Sequence, residues 1–170
     1  MLFDAKVLVL NGDSTPFGVA KWEDAVSMVV RERAVVVAQS DIHIHPKFGY
    51  IPTIIKLVNI IRHLWRKKVP WSHDNIHIRD KHTCQYCREE LTRKQCTIDH
   101  VLPKDQGGKN GWLNCVTSCF ACNNKKANRT PNQAKMYLRK QPYQPTIMEF
   151  ILMKLEAEGV DELVKELLGY

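Results

Sequence analysis

Apolar positions along the chain follow two different periods. Residues 6–10 form a short β-prone run closed by Asn11-Gly12-Asp13, and they read as a strand. Between 22 and 33, apolar residues fall at 22, 25, 26, 29 and 30, the spacing of an amphipathic helix. Residues 34–38 read as a second strand. Residues 54–61 fit either state: their β-branched content favours a strand, while apolar positions 54, 57, 58 and 61 share a helical face. Val69-Pro70-Trp71 marks a boundary, and Ser72 is placed to cap a short helix leading to Asp80. Thr130 followed by Pro131 reads as an N-cap and first helical position, which predicts a helix to about Lys140, ended by Gln-Pro-Tyr-Gln-Pro. A last amphipathic helical segment is expected from Thr146, interrupted near Gly159. Its acidic face suits packing on the body or on a second subunit.

The length, 170 residues, suits one domain or a small domain with an extension, and 44% hydrophobic residues are enough for a packed core. The most apolar stretch, residues 51–65, is interrupted by Lys56, Asn59, Arg62 and His63, too polar for a membrane span. The first residues carry Asp4 and lack a basic segment ahead of the apolar run, unlike a secretory signal. The expectation is a cytoplasmic protein, in which clustered cysteines mean metal more often than disulfides.

Net charge sharpens this. The formal charge is +7, and residues 79–140 hold thirteen Lys/Arg against five Asp/Glu, whereas residues 146–170 hold two against six. A basic middle segment is drawn to polyanions, of which nucleic acid is the commonest. The cysteines lie in that segment. Cys84-Gln-Tyr-Cys87 and Cys119-Phe-Ala-Cys122 form two CxxC knuckles, whose two-residue gap lets both sulfurs of a knuckle face one ion. Four thiolates leave no open position, so a zinc ion there is structural. Cys96 and Cys115 stand outside the pairs and read as small apolar fillers.

Between the knuckles lie Asp99-His100, Pro103, Gly107-Gly108 and Asn114, and the second knuckle is followed by Asn123 and Lys126 as CxxC-Asn-x-x-Lys. In this order these residues resemble the HNH nuclease family over residues 84–129, in its bacterial and phage form. The resemblance implies a ββα-metal finger within an α+β protein: a small α/β N-terminal region at 1–71, the nuclease domain at 72–130 and a helical extension at 131–170. It implies a metal-dependent endonuclease that hydrolyses DNA phosphodiester bonds, nicking or cutting both strands. His100 suits a general base, because imidazole titrates near neutrality. Asp99 and Asn123 offer hard oxygen ligands, suited to catalytic Mg²⁺ or Mn²⁺. The zinc frame would bring Asn123, joined to Cys122, against the strand carrying Asp99 and His100. Adjacent strand residues face opposite ways, so that strand must end or twist near His100. By the resemblance, Asn114 bridges the following loop and fixes the orientation of His100. Lys104, Lys109, Lys125, Lys126 and Arg129 are expected on DNA phosphates, which position a duplex without reading its sequence.

The expected partners are DNA and, through the C-terminal face, a second copy in a homodimer. Two other classes compete: a zinc-stabilised nucleic-acid-binding module without catalysis, and the same chemistry on RNA. The leader at 1–71 resembles that of one bacterial and phage subgroup, and the pattern assigns it no task. His43 and His45 fall on one face of a strand without a third ligand.

Overall fold

The computed structural model describes residues 5–46, 49–62 and 68–159. By contact the chain divides into two compact units, residues 1–67 with 147–170, and residues 68–146. Both are mixed α+β.

The first unit is a four-stranded sheet of order β2-β1-β4-β3, from β1 (Lys6–Leu10), β2 (Pro16–Lys21), β3 (Ala34–His45) and β4 (Gly49–Leu57). Strand β1 is central, antiparallel to β2 and parallel to β4. Its side chains alternate faces. Val7 and Val9 pack with Ala25, Ala34 and Ile55 under helix α1 (Trp22–Val30). Leu8 and Leu10 pack with Ile54, Ile151 and Leu155, the last two from helix α4 (Ile147–Ala157). With a helix over each face, every side chain of Val-Leu-Val-Leu is buried, hence the unbroken apolar run.

The ambiguous residues 54–61 resolve as strand as far as Leu57, because β1 and β3 pair β4 on both edges. Helix α1 stops at Val30, three residues short of expectation: Arg31 and Glu32 turn back onto the carbonyls of Ser27 and Val29, and Glu32 takes a left-handed φ of 55°. The expected strand at 34–38 continues to His45. Gly159, where the last helix was expected to break, has φ 71°; the rest of that segment lies outside the described residues. Among the described residues no helix is long and apolar enough to cross a membrane.

The second unit opens with helix α2 (His73–Arg79), whose N-cap Ser72 accepts the Asn75 amide at 3.1 Å, as its sequence position predicts. Strands β5 (Cys96–His100) and β6 (Cys115–Cys119) form an antiparallel pair in continuous register from Cys96 opposite Cys119 to His100 opposite Cys115. Helix α3 (Phe120–Lys126) leaves β6 without a loop. Arg79 is buried and knits this unit: it donates to the carbonyls of Trp112 (2.9 Å), Cys115 (2.9 Å) and Tyr143 (3.0 Å) and pairs with Asp80, whose carboxylate accepts the Thr117 amide at 2.7 Å.

Residues 130–140 do not form the expected helix. The cap is present, since Gln133 accepts the Thr130 amide and Thr130 the Gln133 amide. One turn follows, and Lys135 then enters the left-handed region at φ 53°. Ala134 and Met136 are buried, and Arg139 donates its backbone amide to the Gln85 carbonyl. Tertiary anchoring overrides a good local start. Residues 131–146 thereby belong with the second unit, and α4 with the first.

Candidate active site

The four knuckle cysteines converge. Their sulfurs all lie within 4.8 Å of one another, and the Cys87 and Cys119 sulfurs are 3.9 Å apart, close to the separation that a tetrahedral ion with Zn–S bonds of about 2.3 Å requires. The donor set and its spacing fit Zn²⁺. Burial raises the Cys84 thiol, but backbone amides of Cys87 and Cys119 outweigh it and hold that thiol below its ordinary range, which favours the thiolate a metal needs. Burial pushes the Cys122 thiol well up, so a bound cation would have to draw its proton off. Cys96 sits beside this cluster, across the ladder from Cys119, and Cys115 is buried in β6; neither joins the four sulfurs.

Helix α3 begins inside the second knuckle and lies along β5. Asn123 donates its amide to the Thr97 hydroxyl (3.0 Å) and the Ile98 carbonyl (3.2 Å). A carbonyl only accepts, so the amide orientation is chemically fixed and Oδ1 is the atom left over. One turn later, Lys126 donates to Asp99 Oδ1 and to the His100 carbonyl, each at 2.8 Å. The other Asp99 oxygen accepts the hydroxyl of Tyr86 at 2.5 Å. Burial, then the bond to Asp99, raises the Tyr86 hydroxyl far above its usual range, so it remains a donor. Asp99 and Lys126 are only 4% and 1% exposed. Tyr86 lies within the first knuckle and Lys126 just past the second, so both clamp the one carboxylate.

Strand β5 ends at His100, where an ending was needed. Thr97 and Asp99 meet α3, and the pleat starts the next side chain from the other face. There His100 Nε2 bonds Asn110 Oδ1 at 2.7 Å. Asn114 spans the loop: Oδ1 accepts the Leu102 amide (2.8 Å), and Nδ2 donates to the carbonyls of Leu102 (3.1 Å) and Lys109 (3.0 Å). The loop closes tightly because Gly108 has no side chain; a Cβ there would stand 1.8 Å from the Leu102 oxygen. Among the described residues no hydrogen bond joins the side chains of Asp99, His100 and Asn123 to one another.

The model of the HNH endonuclease family matches residues 84–139, and that of the HNH endonuclease-associated N-terminal domain matches residues 7–65. The chain carries an HNH endonuclease domain. Neither a curated protein nor a solved structure matches the chain.

In the HNH domain the cations expected on DNA separate into two kinds. Lys104, Lys109, Lys125 and Arg129 are exposed, and Arg129 is steadied by the carbonyls of Lys125 and Lys126. Lys126 is buried with its ammonium committed to Asp99 and His100, which removes it from the surface a phosphate would meet. Tyr86 and Asn110 were not singled out from the sequence. The Tyr of the first CxxC was in view but reads as a spacer, and nothing local ties Asn110 to a histidine ten residues away.

Proposed function

We propose that the HNH domain is a metal-dependent DNA endonuclease in which His100 is the general base and Asp99 and Asn123 hold a catalytic divalent ion. What carries this reading is the approach of α3 to β5: the helix entered from the zinc knuckle brings Asn123 and Lys126 onto residues 97–100. The donor chemistry fits a hard ion. Asn123 has Oδ1 to offer, and each Asp99 oxygen accepts one hydrogen bond while having two lone-pair directions. Mg²⁺ or Mn²⁺ bound there would neutralise charge on the phosphate and the leaving oxygen. With Asn110 Oδ1 as acceptor, the His100 proton sits on Nε2, and Nδ1 is free to take a proton from the attacking water. The water oxygen bonds to phosphorus as the P–O3′ bond breaks, and the released 3′ oxygen takes a proton from solvent, leaving a 5′-phosphate and a 3′-hydroxyl. Asn114, by fixing the loop that presents Asn110, acts on the orientation of that ring. Lys104, Lys109, Lys125 and Arg129 neutralise flanking phosphates.

One observation favours a second reading, a zinc-stabilised DNA-binding module without catalysis: both Asp99 oxygens are already engaged, one of them by an ammonium. Nicking of supercoiled plasmid in Mg²⁺ or Mn²⁺ separates the two. The wild type should cut, and His100→Ala should lose about 10²- to 10⁴-fold of the rate, the usual contribution of a general base, with zinc content and folding unchanged. DNA binding by both proteins with cutting by neither would leave the binding module. Cutting of matched RNA in place of DNA would reassign the substrate.

A further inference from the structure

Leu102 follows His100 by two residues, and with Tyr137 it borders a cleft of about 380 Å³ in the same unit, within the range of small-ligand sites. Two large side chains are left open beside it: Tyr137 is 85% exposed and Leu102 41%. Leu102 is held on both sides of its backbone by Asn114, so its exposed side chain projects from a fixed main chain. The cleft wall also offers Thr130, Asn132 and Gln141, side chains that both donate and accept, beside apolar Met136. The electrostatic setting is one-sided. No Asp or Glu occurs from 106 to 148, while Lys109, Lys125, Lys126, Arg129, Lys135, Arg139 and Lys140 do. Of these only Lys126 is buried.

We infer that this cleft receives an unstacked nucleobase from the strand whose phosphate lies at His100, with Tyr137 as stacking surface, Leu102 as wedge, and the amides of Asn132 and Gln141 meeting the base edge. This rests on the DNA reading above and deepens it. An exposed aromatic face holds any base, because every base has a π-face. An apolar wedge opens a base step, and an amide meets donors and acceptors alike. The surrounding positive charge disfavours a cationic occupant and favours one carrying phosphates, and a nucleotide has its base free for the cleft and its phosphate free for the rim. Opening a step costs least at a mismatch or in a single strand, so the site makes the protein prefer distorted over fully paired DNA.

The test uses the full chain carrying His100→Ala, which removes cutting from the readout, and short duplexes with one 2-aminopurine in a mismatch or in a matched pair. Binding to the mismatched duplex should raise the fluorescence as the base leaves the stack. Tyr137→Ala should abolish the rise and weaken binding about 5- to 100-fold, the ~1–3 kcal/mol of one base–aromatic stack at ~1.4 kcal/mol per tenfold. Tyr137→Phe should keep both. Binding without a rise, or a rise unchanged in Tyr137→Ala, would overturn the inference. Because Tyr137 is exposed, its substitution leaves the fold in place, which zinc content verifies. Failure of the nuclease reading shows separately, as a wild type that binds and opens the mismatched duplex but never cuts.

Discussion

The two units of this chain are held together by different physics. In the sheet unit, the cores on either side of β1 are Val, Leu, Ile and Ala, and among the described residues Asn11 alone is polar and buried there, its Oδ1 accepting the amides of Gly12 and Ile61. In the unit that carries the HNH domain, the buried set includes His77, Arg79, Thr83, Gln85, Asp99, Thr117, Ser118 and Lys126, and one core cluster is made of Cys84, Leu91 and Cys119. Removing apolar area from water is non-directional and tolerates repacking. Thiolates, ion pairs and bonds to carbonyls demand particular partners at particular distances, and each becomes costly when one partner is lost. The sheet unit is therefore a durable scaffold. The HNH unit trades that tolerance for a fixed arrangement of polar groups.

The largest break in this contrast should come from metal. Structural zinc is worth about 10–16 kcal/mol in small zinc-finger peptides near neutral pH. A strong chelator, or Cys119→Ser, is expected to abolish protection of backbone amides around β5, β6 and α3 in hydrogen exchange, while β1 and β4 keep theirs. Loss of protection in both units together would refute the division, and protection retained in β5 without zinc would refute the zinc assignment.

Next in size is the buried ion pair. Lys126→Met leaves the Asp99 carboxylate without its cation, a loss that typically costs about 3–5 kcal/mol. Adding Asp99→Asn should recover a good part of that cost, since a neutral amide accepts the Tyr86 hydroxyl without needing a counter-charge. Denaturant unfolding of the two single variants and the double variant measures the coupling. Additive losses would mean that the two charges do not stabilise each other in the folded protein.

How much of this was legible in the sequence follows the same division. Strand β1, the cap at Ser72, the two knuckles and the Asp99-His100 motif announce themselves within a few residues, because period, capping and ligand spacing are local signals. The helix expected over 130–140 failed although its cap was correct: Lys135 turns left-handed, Met136 is buried, and Arg139 is anchored to the distant Gln85 carbonyl. Strand β2 has Pro16 and Gly18 in its pattern and gains its place from pairing with β1. Lys126 was expected on a DNA phosphate, at the surface, since lysine is seldom fully buried. Its partner lies 27 residues back, and the partners of Arg79 lie 33 to 64 residues ahead. Directional contacts across such separations leave no periodic trace, so the polar unit was readable where its motif is local and opaque where its bonds are long-range.

The smallest expected effect isolates one member of the polar set. His77 is buried with Nδ1 3.0 Å from the Thr117 hydroxyl, and burial, followed by the nearby charge of Arg93, lowers its pKa to about 4. The unfolded chain holds this histidine near 6.5. Between those values the unfolded state binds the extra proton and the folded state does not, so stability rises with pH across the window. The contribution is fully present above about 6.5 and declines as pH falls toward 4. His77→Gln removes the titration while its amide can still reach Thr117. Plotted against pH, the thermal midpoint of this variant should fall less steeply from 6.5 to 4 than that of the wild type. Acid release of zinc acts on both proteins alike and cancels in the difference. Parallel curves would mean that His77 takes up its proton as readily in the folded state as in the unfolded one, and burial would then not be what governs it.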